Sequence, residues 1–403
     1  MQSKVQGSAE KERLWTLGFV LICLVAIIQR TSTQMQNTAL PLYIQSLGYT
    51  KAAAGNCNAA YSMASLVLRP FMGQAVDRIG SKRVLIFGTV LLAITVLGYG
   101  MSVTLGQIMV LRILGGVAFS ATTVAVSTVS VQNIAESRMT EGIGYFGLSS
   151  ALAQSVGPVF ALALISDNDL YWMCFVIIAL LLGIATLLGA AIKPQKIVHQ
   201  QKKGLVIEKG NFWASIVEPT ALMPSLLSFM VFFSSNAVGT FISTYTKEAA
   251  ILGVSEFFVI KAVTIAVSRI FIKPIEKTLG NEKGLLVAFA VYALNFGLIF
   301  VAGGKMTLWT AAALFGFGYG LLQTLLNAAA VINTPKHRRG AANATYYMAM
   351  DLGLGIGASC WGYVADWFGT RSIYFGAMLV QLLAIVAYFA IKKKHGHFMD
   401  KKD

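Results

Sequence analysis

Apolar residues run along this chain in long blocks separated by short polar breaks. A bilayer-spanning helix needs about 20 mostly apolar residues. Read this way, the chain predicts about twelve spans, at roughly 15–44, 52–75, 83–102, 105–134, 139–164, 170–192, 219–247, 253–275, 284–303, 306–333, 340–365 and 371–391. The longest break, roughly 193–218, is polar and carries Lys193, Lys196, Lys202, Lys203 and Lys209. It divides the chain into an expected six-helix bundle over 1–192, a linker over 193–218 and a second six-helix bundle over 219–403 with a basic tail. Lys4, Lys11 and Arg13 precede the first block, which lacks a small-residue cleavage site and is expected to remain as a span. The predicted fold class is an all-α integral membrane protein of two pseudo-symmetric six-helix bundles.

Composition supports this reading. The chain has 403 residues, 56% hydrophobic and only 12% charged, against about 25% charged in soluble domains. The net charge of +15 would suggest nucleic acid in a soluble protein, but no basic face is continuous enough to follow a phosphate backbone. The Lys and Arg residues instead sort by loop. One alternating set holds Arg78, Lys82, Arg83, Arg138, Lys277, Lys283, Arg338 and the other basic residues of the termini and middle break, about 22 in all. The opposite set holds only Lys51, Lys247, Lys305 and Arg371. Both termini and the 193–218 break are therefore expected on the cytoplasmic side of the plasma membrane, which requires an even number of spans.

An internal repeat appears at an offset of 200. Arg69 and Gly80 align with Arg269 and Gly280, Arg138 with Arg338, Asn133 with Asn333 and Gly157 with Gly357. Parallel repeats of six spans imply a two-fold axis along the membrane normal and a site between the halves.

The break after the second span reads Gly73-Gln-Ala-Val-Asp77-Arg78-Ile-Gly80-Ser-Lys82-Arg83. It resembles the signature loop between spans two and three of the major facilitator superfamily, in the drug:proton antiporter branch. The resemblance implies a conformational latch of Gly73, Asp77, Arg78, Gly80, Lys82 and Arg83. Gly73 would allow a neighbouring helix close approach; Asp77 would cap a helix or pair across the interface between the halves. Arg112 and Gly116 in span four resemble the family's Arg-x-x-x-Gly pattern. Gly157-Pro158 in span five resembles an antiporter kink, although Ala161 and Leu162 stand where two further glycines are usual. The second-half copy of the latch also departs, with Lys273, Glu276 and Lys277 in its glycine and Asp-Arg region.

Charge inside a span is costly and usually functional or paired. Arg69, Arg269 and Lys273 lie near predicted span ends and can snorkel; Arg30, Arg112 and Lys261 lie deeper, and Asp351 is the deep acid. At about 1.5 Å per residue, Lys261 and Asp351 are expected at similar depth, about 12 and 14 Å from the outer face. That placement allows a structural ion pair or a titrating site. As the proton-coupling pair we select Asp351 and Arg112. Span one carries a polar face with Gln29, Arg30, Gln34 and Asn37, span seven carries Asn236 and Thr240, and span ten carries Gln323 and Asn327. The family resemblance places spans one, four, seven and ten around a central cavity. The expected substrate cavity is thus Arg30, Gln34, Asn37, Arg112, Asn236, Lys261, Gln323 and Asn327, a positive lining suited to an anionic group.

Other signals fall away. Gly353-Leu-Gly355-Ile-Gly357 lies within a span and reads as a packing surface, not a dinucleotide loop. Gly303-Gly304-Lys305 lacks Walker spacing, and the histidines, all in polar breaks, assemble neither a metal site nor a hydrolytic triad. No enzymatic activity, metal or cofactor is expected. The leading expectation is a monomeric, proton-coupled antiporter that exports a small organic substrate by rocker-switch alternating access. An organic-anion or metallophore carrier working by exchange or uptake is the alternative; a non-transporting receptor or a lipid flippase is the reading from another class.

Overall fold

The computed structural model describes residues 14–134, 138–165, 170–192, 217–332, 334–335 and 338–395. The predicted linker lies almost wholly outside the described residues, as do Lys4, Lys11, Arg13, Asn333 and Lys336. The described residues form α1 (Leu17–Ser46), α2 (Lys51–Ile79), α3 (Ser81–Met101), α4 (Leu105–Gln132), α5 (Met139–Ile165) and α6 (Tyr171–Ala191). A 3-10 turn, Pro219–Ala221, leads into α7 (Leu222–Glu248). A continuous helical stretch, Val254–Phe300, is broken at Gly280, where φ is +76°, giving α8 (254–279) and α9 (281–300). The chain closes with α10 (Lys305–Ile332), α11 (Arg339–Phe368) and α12 (Thr370–His395). These are twelve helices of span length, and the protein is an all-α integral membrane protein.

Length and apolar composition alone select eight candidate spans, with Val254–Phe300 counted as one. Neither α2 nor α11 is among them. The reason is visible in their sequences: α2 holds Asn56, Asn58, Arg69 and Asp77, and α11 holds Asp351 and Asp366. These two helices pack against each other from Gly362 on Ala52 to the Arg69–Asp351 pair, so their polar faces there meet protein rather than lipid. The lipid side is supplied by exposed Leu24, Ile94, Val110, Leu180, Leu187, Leu294 and Val386, an apolar surface no water-soluble monomer would present.

The offset of 200 extends to the packing. Gly80 ends α2 at φ +96° and Gly280 ends α8 at φ +76°. A methyl added at Gly116 of α4 would strike the backbone of Tyr61 and Ser65 and the side chain of Ala64; one added at Gly316 of α10 would strike Lys261, Thr264 and Ile265. The contacted positions 61, 64 and 65 correspond to 261, 264 and 265. The α2–α4 and α8–α10 contacts are therefore built on the same close approach, which only a glycine at the crossing permits.

The helix ends fall into two groups. One, the basic end, holds Arg78, Lys82, Arg83, Arg138, Lys277, Lys283, Arg338 and Lys392. The far end holds Lys51, Lys247, Lys305 and Arg371. At the basic end, Glu218 accepts a hydrogen bond from Arg338 at the start of α11 and bonds from the amide and hydroxyl of Thr220. Burial acts to raise the Glu218 carboxyl, but these hydrogen bonds outweigh it and hold the group below the ordinary carboxylate value. A depressed folded pKa contributes stability that is complete above the unfolded value, about 4.3, and is lost as pH falls through the folded value. Thermal unfolding in detergent should therefore show a fall in melting temperature below about pH 4 that is smaller in Glu218→Gln. Identical acid limbs for the two proteins would remove this contact from the account.

Candidate functional site

The seam between α1–α6 and α7–α12 is polar where it crosses the membrane. The resemblance-derived cavity residues fall into two groups along it. The deeper group begins with Arg112, fully buried on α4. Its guanidinium donates to Asn58 Oδ1 and lies 4.9 Å from the Tyr61 ring and 5.6 Å from the Tyr99 ring. Asn58 Nδ2 donates to Thr240 Oγ1 at 3.1 Å, Thr240 donates to Asn236 Oδ1 at 2.8 Å, and Asn236 Nδ2 donates to the Leu354 carbonyl at 2.9 Å. A buried charge in one half is thus wired through Asn58 to α7 and α11 of the other. Arg112 Nε and Nη1 have no hydrogen-bond partner. Asn58 did not stand out in the sequence; its signal was the pair of asparagines, Asn56 and Asn58, in an otherwise small-residue stretch.

The second group centres on Asp351, 7% exposed on α11. Its partner is Arg69 of α2: Nη1 lies 2.8 Å from Oδ2. The two are close enough for an ion pair but off the angle of a hydrogen bond, so that oxygen has no hydrogen-bond donor. This corrects two expectations. Lys261 is not the partner of Asp351; it is buried with its ammonium 4.9 Å from the Phe258 ring and 5.5 Å from the Phe315 ring. Arg69 is not a snorkelling anchor but the cross-seam cation. Arg30 lies half-buried on α1 in the electrostatic neighbourhood of Arg69 and Tyr347.

The remaining predicted lining residues are less engaged. Asn37 donates to Gln34 Oε1 at 3.4 Å. Gln323 and Asn327 are half-buried on α10, and the Gln323 carbonyl accepts from Tyr346 at 3.1 Å. On α1, Gln36 is fully buried with both amide atoms unpartnered, a polar residue the sequence reading passed over. Gly157 does permit close approach: a methyl there would come within 2.6 Å of Gln34 Cβ, so Gly157 and Pro158, both buried, seat α5 against the polar face of α1. An open depression at the far ends of α3 and α4, lined by Gly98, Met101, Ser102, Gly106, Val110 and Leu111, is mostly apolar.

The seam is closed at one end. Gln45 donates to Thr244 at 3.0 Å, Lys51 pairs with Glu248 at 2.6 Å, and Asn56 donates to Tyr363 at 3.1 Å, all towards the far end. At the basic end Asp77, Arg78 and Arg83 are exposed. A methyl added at Gly73 would meet nothing within 4 Å. The close approach expected at Gly73 is therefore absent.

Twelve spans in two similar sets of six, with charges facing each other across the seam, define a polytopic membrane transporter. The chain belongs to the Major Facilitator Superfamily, whose sequence profile matches residues 22–358. It is a transporter and not an enzyme. It is 23% identical over 385 residues to the staphylopine export protein of Staphylococcus aureus, covering 92% of this chain and 95% of that one. It is 25% identical over 395 residues to an uncharacterized transporter of the same type from Pseudomonas aeruginosa, covering 94% of each. Among solved structures, the nucleoside transporter NupG in a mutant form superposes with a TM-score of 0.79 at 14% identity, over 93% of this chain and 100% of that one. A bacterial homolog of the human lysosomal transporter Spinster, in an inward-facing and unoccupied conformation, superposes with a TM-score of 0.76 at 13% identity, over 93% and 96% of the two chains.

Proposed function

We propose that this transporter couples protons to the export of a small organic molecule by alternating access, as a monomer in the plasma membrane. In this reading the basic end, both termini and the 193–218 linker are cytoplasmic, and the two six-helix sets move as bodies. The observation that carries it is the Arg69–Asp351 ion pair across the seam, well inside both helices. An acid there can be neutralised by a proton, and neutralisation removes the attraction between the halves at that point. The closed far end and open basic end correspond to the inward-facing state. Transport out of the cell is what the name of the Staphylococcus aureus relative describes.

The charges also constrain the cargo. Arg30, Arg69, Arg112 and Lys261 outnumber Asp351 around the seam, which favours a substrate with an anionic group, held at Arg30 or Arg112. The sign of coupling then depends on which member of the central pair the substrate engages. A donor group that binds the Asp351 carboxylate competes with the proton, which gives antiport. An anionic group that takes Arg69 releases Asp351 to bind a proton, so that proton and substrate travel together and inward; the cation excess is the observation behind this second reading, the organic-anion carrier, while antiport is the reading consistent with export.

Reconstituted protein decides between them. Liposomes with an acidic lumen should accumulate an amino-carboxylate solute under antiport, approaching about tenfold per pH unit for one-to-one exchange. Accumulation driven only by an alkaline lumen would select the organic-anion reading. Equal counterflow with no response to either gradient would remove proton coupling altogether.

A further inference from the structure

The turn between α11 and α12 repeats the spacing of the latch at the opposite end of the molecule. Gly362, Asp366, Gly369 and Arg371 are separated as are Gly73, Asp77, Gly80 and Lys82. The backbone agrees: Gly80 has φ +96° and ψ +141°, and Gly369 has φ +84° and ψ +154°. Each glycine ends one long helix and starts the next.

The two copies are in opposite conditions. Asp366 accepts the Lys51 amide at 3.0 Å and the Ala52 amide at 2.8 Å, across the seam at the first turn of α2. Thr50 accepts the Ala53 amide at 3.1 Å. The first three amides of α2, which no helix can satisfy internally, are therefore all capped, two of them by a carboxylate from the other half. The positive end of the helix adds to the attraction. A methyl at Gly362 would lie 2.8 Å from Ala52 Cα, so this first glycine of the motif is packed. Around it Lys51 pairs with Glu248, and Thr370 donates to the same carboxylate at 2.6 Å. Arg371 donates to the Phe300 carbonyl and covers its ring, fixing the start of α12. In the other copy Gly73 faces open space, and Asp77, exposed as Asp366 is, accepts no hydrogen bond from the described residues. The first turn of α11 has Arg338 at its N-cap and no side-chain cap.

We infer that Gly362–Arg371 is a second latch, holding the far end closed as the Gly73–Arg83 loop holds the basic end, and that the two engage alternately. The geometry gives the alternation. Helices α2 and α11 run antiparallel across the seam and touch from Gly362 on Ala52 at the far end to Arg69–Asp351, about 15 Å from the basic end of α2. The far end joins the start of α2 to the end of α11; the basic end joins the end of α2 to the start of α11. Two stiff helices that pivot at Arg69–Asp351 can close at one end only by parting at the other. The inference rests on the alternating-access reading above.

Spin-label distances in the full-length, cysteine-replaced protein in lipid test it. One pair, at exposed Val103 and Leu252, spans the far end; the other, at exposed Ile79 and Leu279, spans the basic end. Asp366→Asn should raise the ratio of far-open to far-closed molecules by about fivefold to tenfold. Gly362→Ala should shift it the same way by crowding Ala52, and it serves if Asp366→Asn does not fold. Asp77→Asn should shift the ratio in the opposite sense, and Asp77→Asn with Asp366→Asn should return it to within about twofold of wild type. A purely structural role for Asp366 would not produce opposite shifts and their cancellation. If wild type shows two populations at each end but Asp366→Asn and Gly362→Ala leave them unchanged, or Asp77→Asn moves them in the same sense, the second latch is wrong and alternating access stands. If no variant shows more than one population at either end, alternating access fails and the latch with it.

Discussion

Asp351→Asn should lose nearly all transport driven by a pH gradient while keeping substrate counterflow within about threefold of wild type. The amide keeps the size and polarity of the side chain but cannot exchange a proton, so the site can bind and release cargo without transducing the gradient. Across a gradient of about two pH units, accumulation should fall by about a hundredfold, equivalent to about 2.8 kcal/mol of lost coupling. The pairing with Arg69 supplies a control. Arg69→Asp combined with Asp351→Arg restores an ion pair of reversed polarity across the same seam. It should recover folding and counterflow better than Arg69→Asp alone, because a lone pair of facing carboxylates repels. Asp351→Asn with undiminished response to the gradient would move the coupling site elsewhere.

Arg112→Met should lower transport by about thirtyfold while leaving the melting temperature unchanged or higher. Two effects of opposite sign meet at this side chain. The guanidinium donates one charge-assisted hydrogen bond to Asn58, typically about 1.5–3 kcal/mol, and meets two aromatic faces at about 0.5–2 kcal/mol each. Against this, a buried charge without a counterion costs several kcal/mol, and Nε and Nη1 have no partner here. Methionine fills similar volume against Tyr61 and Tyr99 without that cost. Parallel measurement of unfolding and transport checks the split: a residue kept only for packing would lose both together. Lysine at this position should not rescue, since it cannot reproduce the planar contact with the two rings.

Much of this architecture could be read from the chain, for physical reasons. The helices run where the apolar blocks run, because the bilayer requires continuous internal hydrogen bonding over each span. The offset of 200 was visible in a few identities and proves to be shared packing, from Gly116 on Tyr61 to Gly316 on Lys261. The partner of Asp351 was not readable. The predicted second span stopped near residue 75, placing Arg69 about 9 Å from its end, whereas α2 continues to Ile79 and places it about 15 Å in. On α11 the error runs the other way. That helix has 30 residues, longer than the core it crosses, so Asp351 lies about 26 Å from its far end, against about 10 Å for Lys261 on α8. Span boundaries set depth, and a few misplaced residues at each end exchanged one partner for another. The surroundings of Gly73 were equally hidden: the sequence of the Gly73–Arg83 segment is the same whether another helix packs on it or, as here, nothing lies within 4 Å of a methyl at Gly73.

The crossings at Gly116 and Gly316 have a further consequence. There, each glycine lies against a backbone carbonyl and a short side chain, Ala64 at one crossing and Thr264 at the other, leaving little to compress. Within each set of six such joints are hard. Between the sets there are close crossings too, Gly55 on the Ala358 carbonyl and Gly362 on Ala52, but the ion pairs and side-chain hydrogen bonds around them are individually weak and exchangeable for water. A molecule assembled this way concentrates its compliance on a single surface. A small ligand that wedges that surface at either end should arrest the whole cycle, whereas one lodged inside a bundle would have to unpack it.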